Sequence, residues 1–290
     1  MSGKPQNAQM RIGPSGNSIP FYEAGHKHTY EAPAFLRALG LNAFEYSFGH
    51  GITIGEPGAR RIAAEMEKYD IALSAHAPYY INFGSADPET VEKSIEYVIR
   101  SVRMGRLMGG TRTVFHPGAQ GGLDRAAAYA LLKKNLGILV ERLRETPDFD
   151  AHILCPETMG KKRQLGTVEE IVGLCALDSR LYPCFDFGHI NSYTGGGLRS
   201  PGDFRRIIDY TFERLGETKT KNMHIHFSKI QYGQAGEIRH LTFADTRYGP
   251  EYAHLGAVLD EYRMTPVIIC ESKDYMSDDA VIIKNYHQIS

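Results

Sequence analysis

Short apolar runs alternate with longer amphipathic stretches along most of this chain. Eight runs have the length and β-branched or aromatic content of strands: residues 10–13, 43–46, 72–76, 113–116, 152–157, 182–186, 223–227 and 266–271. Between them, apolar positions recur at helical spacing, most clearly over 59–69, 88–108, 124–144 and 201–215. Two helix starts carry explicit signals. Thr167 stands three residues before Glu170, the spacing of a capping box, and Asp87 precedes Pro88 at a first helical position. Strict alternation of strand and helix predicts a parallel sheet with right-handed crossovers, and eight repeats predict a closed (β/α)8 TIM barrel. An open doubly wound sheet would be expected to open with a G-x-G-x-x-G turn. The turn after the first strand, Gly13-Pro14-Ser15-Gly16, lacks that spacing. No break in composition marks a second domain, so residues 1–290 are read as one domain, with 1–9 as a flexible tail. The TGGGL stretch at 194–198 is read as a loop after the sixth strand.

Composition narrows the function classes. With 42% hydrophobic and 23% charged residues, 290 residues suffice for a core that needs no disulfide staples. The formal net charge of -1 gives no global attraction to nucleic acid or membranes, so any nucleic-acid contact must come from a local patch. No run of 18 apolar residues suggests a membrane span, and the first ten residues lack the apolar segment of a secretory signal. Cys155, Cys175, Cys184 and Cys270 form no C-x-x-C pair, and three lie in strand-like runs. They read as buried reduced thiols, which fits a cytoplasmic protein, expected to be a monomer.

Barrel enzymes build their sites at the C-terminal ends of the strands. Here those ends carry His76, His116, Glu157, Asp186 (with His189 three residues on), His224 and His226, and Glu271; His240 follows the seventh strand. One strand-end histidine means little, since most are satisfied structural residues. Six consecutive strands ending in His, Asp or Glu point to a shared cavity, where several carboxylates would repel unless cations lay between them. Imidazole plus carboxylate without thiolate suits Zn2+, Mn2+ or Fe2+ in a catalytic role, and the donor count is enough for two or three ions. Two ions about 3.5–4 Å apart can serve both the attacking and the leaving oxygen of a phosphodiester.

At these residues the chain resembles the endonuclease IV family of apurinic/apyrimidinic endonucleases, within the xylose-isomerase-like barrel superfamily. The resemblance spans roughly residues 72 to 275. It rests on H-A-P-Y-Y-I-N at 76–82, F-H-P-G at 115–118, P-E-T at 156–158, F-D-x-x-H at 185–189, M-H at 223–224 and C-E-S at 270–272. It implies that His76 and His116 hold a first zinc and that Glu157, the catalytic bridge, joins it to a second. Asp186, His224 and Glu271 would complete that second site, and His189 and His240 would hold a third ion. The implied reaction is attack by a metal-bridging hydroxide on the phosphodiester 5′ to an abasic site in double-stranded DNA.

The chain departs from the family pattern at three places. The aspartate expected two residues before the loop histidine is Ile238, leaving Glu237 or Asp245 as substitutes. The polar pair expected after the strand-seven histidine is His226-Phe227. His226 shares a face with His224, as a ligand or as a residue holding a carboxylate. The first forty residues match no DNA-reading loop; Gly-Pro-Ser-Gly-Asn-Ser at 13–18 and Phe44-Glu45-Tyr46 resemble a prokaryotic branch instead. Tyr79 and Tyr80 occupy the place of the family's inserted residues, or else cap the barrel mouth. Lys161, Lys162 and Arg163 form a basic loop after Glu157, either solvated or facing phosphates, which Lys229 and Arg239 would extend. Arg103, Arg106 and Arg112 read as surface charges. Two competing readings remain: a metal-dependent sugar isomerase or epimerase on the same barrel, and a metal-retaining binding protein without catalysis.

Overall fold

The structure, a computed structural model, describes residues 9–149 and 151–289. The expected tail falls almost wholly outside them. Eight strands form the barrel: β1 (Arg11–Pro14), β2 (Ala43–Ser47), β3 (Ala72–His76), β4 (Arg112–Phe115), β5 (Ile153–Pro156), β6 (Cys184–Asp186), β7 (His224–Phe227) and β8 (Val267–Cys270). Strands β2 to β5 pair in sequence, all parallel, and so do β6, β7, β8 and β1. Two seams close the cylinder. Ser15 bridges Glu45 between β1 and β2, and Glu157 bridges Cys184 between β5 and β6. The first seam is tight: a Cβ on Gly13 would collide with the Ala43 carbonyl, so only glycine lets β1 approach β2 there. The fold is a TIM barrel, as the alternation predicts.

Apolar side chains at helical spacing, such as Ile95, Val98 and Val102 or Leu132, Leu136, Leu139 and Leu143, share one large core with outward strand residues including Phe44, Leu73, Phe115 and Ile225. Inside the barrel a small cluster of Val114, Cys155 and Cys184 fills the space below the site. All four cysteines are buried and unpaired with one another. Period-two alternation turns Ser74 and His76, Cys155 and Glu157, Cys184 and Asp186, and His224 and His226 toward the same interior.

Both helix starts occur as expected. Thr167 and Glu170 cap each other's backbone N–H groups, and Asp87 accepts from the N–H groups of Glu89 and Thr90. The helix expected over 201–215 runs on as Pro201–Lys221 across a kink at Gly216, whose φ of 76° glycine alone adopts cheaply. Two elements that carry site residues escape the pattern. Helix Phe187–Tyr193 springs directly from β6, so the TGGGL loop follows a helix rather than a strand. An antiparallel hairpin, Lys229–Gly233 with Gly236–Leu241, follows β7; its runs, KIQYG and GEIRHL, are too polar to stand out as strands. Arg103 and Arg106 lie outside as expected, paired with Glu56 and Asp148. Arg112 does not: it opens β4, is partly buried, and sets its guanidinium 5.9 Å from the Tyr182 ring. Among the described residues no helix is long and apolar enough to cross a membrane.

Candidate metal centre

The C-terminal mouth of the barrel opens into a cavity of about 690 Å³, with His76, His116, His189, Glu237, His240 and Glu271 among its lining residues. Beneath the lining residues lies Glu157, whose carboxylate is buried and faces four imidazoles. Oε2 lies 3.1 Å from His76 Nε2 and 3.2 Å from His116 Nε2. Oε1 lies 3.2 Å from His189 Nδ1 and 3.2 Å from His226 Nδ1. Burial alone would raise the Glu157 carboxyl pKa, but His226, His116 and His189 overcome it and hold it well below the usual range. Burial likewise works against charge on His76, yet Glu157, Glu45 and Glu271 bring its pKa up to about 9. Asp186 behaves differently. Burial, with Glu271 and Glu157 nearby, raises its pKa against the pull of His189.

Three donor groups overlap at this level, and a fourth, Cys184, His224 and His226, lies one layer deeper. His76, His116 and Glu157 form one; Glu157, Asp186, His226 and Glu271 a second; Asp186, His189 and His240 a third, with one donor atom from each residue lying within 4.8 Å of the others in its group. Glu157 belongs to the first two and Asp186 to the last two. The residues fit divalent cations on two observations. Oδ2 of Asp186 is buried without a hydrogen-bond partner. The histidines are also pre-oriented: Nδ1 of His76 contacts the Ala77 carbonyl at 2.8 Å, that of His189 the Thr158 carbonyl at 2.9 Å, and that of His240 the Ser228 hydroxyl at 2.8 Å. A carbonyl on Nδ1 fixes the proton there and leaves the Nε2 lone pair of His76 and His189 for a ligand.

The structure places His224 deeper than the strand-end carboxylates it was expected to join. The register sets Asp186 beside His226, and Cys184 beside His224 one layer deeper. His226 therefore joins the strand-end carboxylates, while His224 lies below them, fully buried, with Nε2 3.0 Å from Glu45 Oε2. Burial drives its pKa down to about 4, so it stays neutral.

The missing aspartate has a structural answer. Gln231 pairs with Arg239 and Tyr232 with Glu237, so Ile238 is the extra residue of a bulge and stands 58% exposed. Glu237 takes the inward position instead, 3.4 Å from His189 Nε2 and 3.9 Å from His240 Nε2. Asp245 accepts from the N–H groups of Arg247 and Tyr248 in its own turn and makes no such approach. Gly236, just before, has φ 99°, and a Cβ there would strike the Gly160 carbonyl; glycine lets the hairpin lie against the loop after β5.

The residues expected to touch a substrate divide. Tyr79 lines the cavity, 52% exposed, its ring 5.8 Å from that of His116. Tyr80 instead sets its hydroxyl 2.9 Å from His50 Nδ1 and does not line it. Lys161 and Arg239 border the cavity. Lys162 does not, and Arg163 donates to the Gly121 carbonyl. Lys229 cannot extend a basic patch: it is buried, donating to the Asp245 carbonyl and the Glu251 carboxylate, each at 2.7 Å. Sequence reasoning gave Glu45 no place in the site. Its signal was a carboxylate on the inner face of an otherwise apolar strand.

Residues 33–285 match the family described as xylose isomerase-like TIM barrel. An uncharacterised protein of Methanocaldococcus jannaschii is 32% identical over 260 residues, covering 90% of this chain and 92% of its own. A probable endonuclease 4 of Streptomyces avermitilis is 35% identical over 248 residues, 82% of this chain and 78% of that protein. The chain belongs to the xylose isomerase-like TIM barrel family and, within it, is related to the endonuclease IV proteins. Among solved structures, endonuclease IV from Thermus thermophilus superposes with a TM-score of 0.66 at 18% identity, covering 90% of this chain and 95% of that one. A D-tagatose 3-epimerase-like protein superposes with a TM-score of 0.65 at 19% identity, covering 86% and 89%. Likenesses at these identities speak to the fold alone.

Proposed function

We propose that this protein is a divalent-metal-dependent phosphodiesterase that cleaves DNA on the 5′ side of abasic sites. The observation that carries this reading is the shared use of Glu157 and Asp186 by three donor groups. A carboxylate common to two groups suits a multi-ion centre, and Zn2+, with Mn2+ or Fe2+ as alternatives, suits imidazole and carboxylate donors. Ions bound there would supply Lewis acidity toward a phosphodiester oxygen and a water acidic enough to attack near neutral pH.

The chain's own residues do the remaining work. Glu157, held ionised, offers one oxygen to each side of the centre. Asp186, His226 and Glu271 close the inner side, and His189, Glu237 and His240 hold the side nearest the hairpin. Tyr79 forms a wall beside His116 where an unstacked sugar would rest, and Lys161 and Arg239 border the cavity where flanking phosphates would pass. A sugar epimerase would need only the Glu157–Asp186–His226–Glu271 group, which leaves the His76–His116 and His189–His240 pairs without a task.

The test is cleavage of a labelled duplex carrying one abasic-site analogue, before and after chelation and on zinc repletion. Cleavage on the 5′ side that follows the metal supports the reading. No cleavage by protein shown to hold two or more ions would sink it, and ketose epimerisation would be assayed next.

A further inference from the structure

His226 differs from His76 and His116 in which nitrogen it turns to Glu157: theirs is Nε2, its own Nδ1. His76 and His189 commit Nδ1 to a backbone carbonyl; His76 aims Nε2 at Glu157, and His189, whose Nδ1 also lies 3.2 Å from Glu157, aims Nε2 at Glu237. His226 is reversed: Nδ1 faces Glu157 at 3.2 Å and Glu271 at 3.5 Å, and Nε2 points down the barrel to Glu45 Oε1 at 2.9 Å. Glu45 is itself fully buried and fixed from two further directions. Ser74 donates to its Oε2 at 2.7 Å, and His224 Nε2 lies 3.0 Å from the same oxygen. The imidazole contacts are bent, at ion-pair distance rather than in hydrogen-bond alignment. Among the described residues no backbone carbonyl accepts from His226 Nε2, and the Glu45 carboxylate is the group it faces.

We infer that Glu45 is a positioning residue for the proposed metal centre, holding His226 with its proton on Nε2 so that Nδ1 is the ligand nitrogen. This rests on the metal-centre reading of the site. The physics is that of a carboxylate behind a ligating imidazole: it fixes tautomer and ring rotation and raises the basicity of the nitrogen in front. Ser74 and His224 hold the carboxylate in turn, which gives the deeper histidine a task without making it a ligand. A buried carboxylate at this depth is costly unless it is paired, so its retention one layer below the centre fits a supporting role.

The experiment compares wild type, Glu45→Gln, Ser74→Ala and His226→Asn by metal content per folded molecule, zinc affinity by chelator competition, and imidazole 15N chemical shifts of the zinc-loaded protein. Wild type is expected to show one zinc-loaded histidine bound through Nδ1 with its proton on Nε2, absent in His226→Asn. Glu45→Gln is expected to weaken one ion's affinity by ~10- to 100-fold and to disturb that resonance; Ser74→Ala does the same to a smaller degree. Should Glu45→Gln fail to fold, Ser74→Ala and the wild-type resonance decide. A folded Glu45→Gln with unchanged affinity, or a wild-type protein in which every zinc-bound histidine uses Nε2, overturns the inference. Wild type that binds no stoichiometric metal would instead sink the metal-centre reading beneath it.

Discussion

Asp186 Oδ1 accepts the backbone N–H of His189 at 2.7 Å, so the residue that ends β6 is also the N-cap of the helix carrying His189. One oxygen serves the fold; the other, Oδ2, is buried without a hydrogen-bond partner, 3.4 Å from His189 Nδ1, and faces the site. The two roles can be separated. Asparagine keeps the cap, because its side-chain oxygen accepts as well as aspartate's does. Asp186→Asn is therefore expected to lose bound metal while its urea midpoint stays close to wild type. Asp186→Ala should lose the metal and, in addition, ~0.5–2 kcal/mol of stability. Equal destabilisation by both variants would refute the division.

Glu157 lies where the first two donor groups meet, and its nearest neighbours are imidazoles rather than carboxylates. Glu157→Gln removes the charge and little volume. Metal content should drop and cleavage of abasic duplex should fall by more than ~100-fold, with the far-UV spectrum retained. Full activity in a metal-replete Glu157→Gln protein would remove the bridging role.

Lys161 is exposed at the cavity rim, while its neighbour Arg163 is engaged with the Gly121 carbonyl. If Lys161 meets a DNA phosphate, Lys161→Ala should weaken duplex binding and reduce the slope of log K against log salt by about 0.9. Lys162→Ala, one residue away and off the cavity, should leave the slope unchanged. Identical slopes for all three proteins would exclude the contact.

His152 offers a pH prediction away from the centre. It is fully buried, its Nε2 2.8 Å from the Thr113 hydroxyl, and burial, with Arg106 nearby, depresses its pKa to about 3. A depressed histidine is neutral in the fold but takes up a proton when unfolded, near pH 6.5. Its contribution is thus complete above ~pH 6.5 and declines as pH falls from there toward 3, by about 1.4 kcal/mol per unit. Urea midpoints measured between pH 8 and pH 4 should fall less steeply for His152→Gln than for wild type. Parallel curves would contradict the assignment.

Much of this was readable in the chain. Alternating apolar runs define the barrel, and strand-end His76, His116, Glu157, Asp186 and Glu271 announce a cavity because the fold brings strand ends together. The choice between His224 and His226 was not readable. Both face inward by the period of two, and which one lies level with Asp186 depends on the register between β6 and β7. The choice between Glu237 and Asp245 was open for a related reason, since one bulged residue, Ile238, decides which side chain of the hairpin faces the site. Glu45 lay in a strand whose C-terminal end carries Ser47 rather than a ligand type, and its task appears only when the interior is assembled in layers.

The hairpin after β7 supplies Glu237 and His240 yet pairs with no barrel strand. It is fastened by backbone bonds to the Gly160–Lys162 loop and followed by a turn anchored on Lys229. This half of the site therefore takes its position from a loop and a ribbon rather than from barrel register: Ile230 and Lys229 are buried at its root, and the Gly160–Lys162 loop sets how closely Glu237 approaches His189.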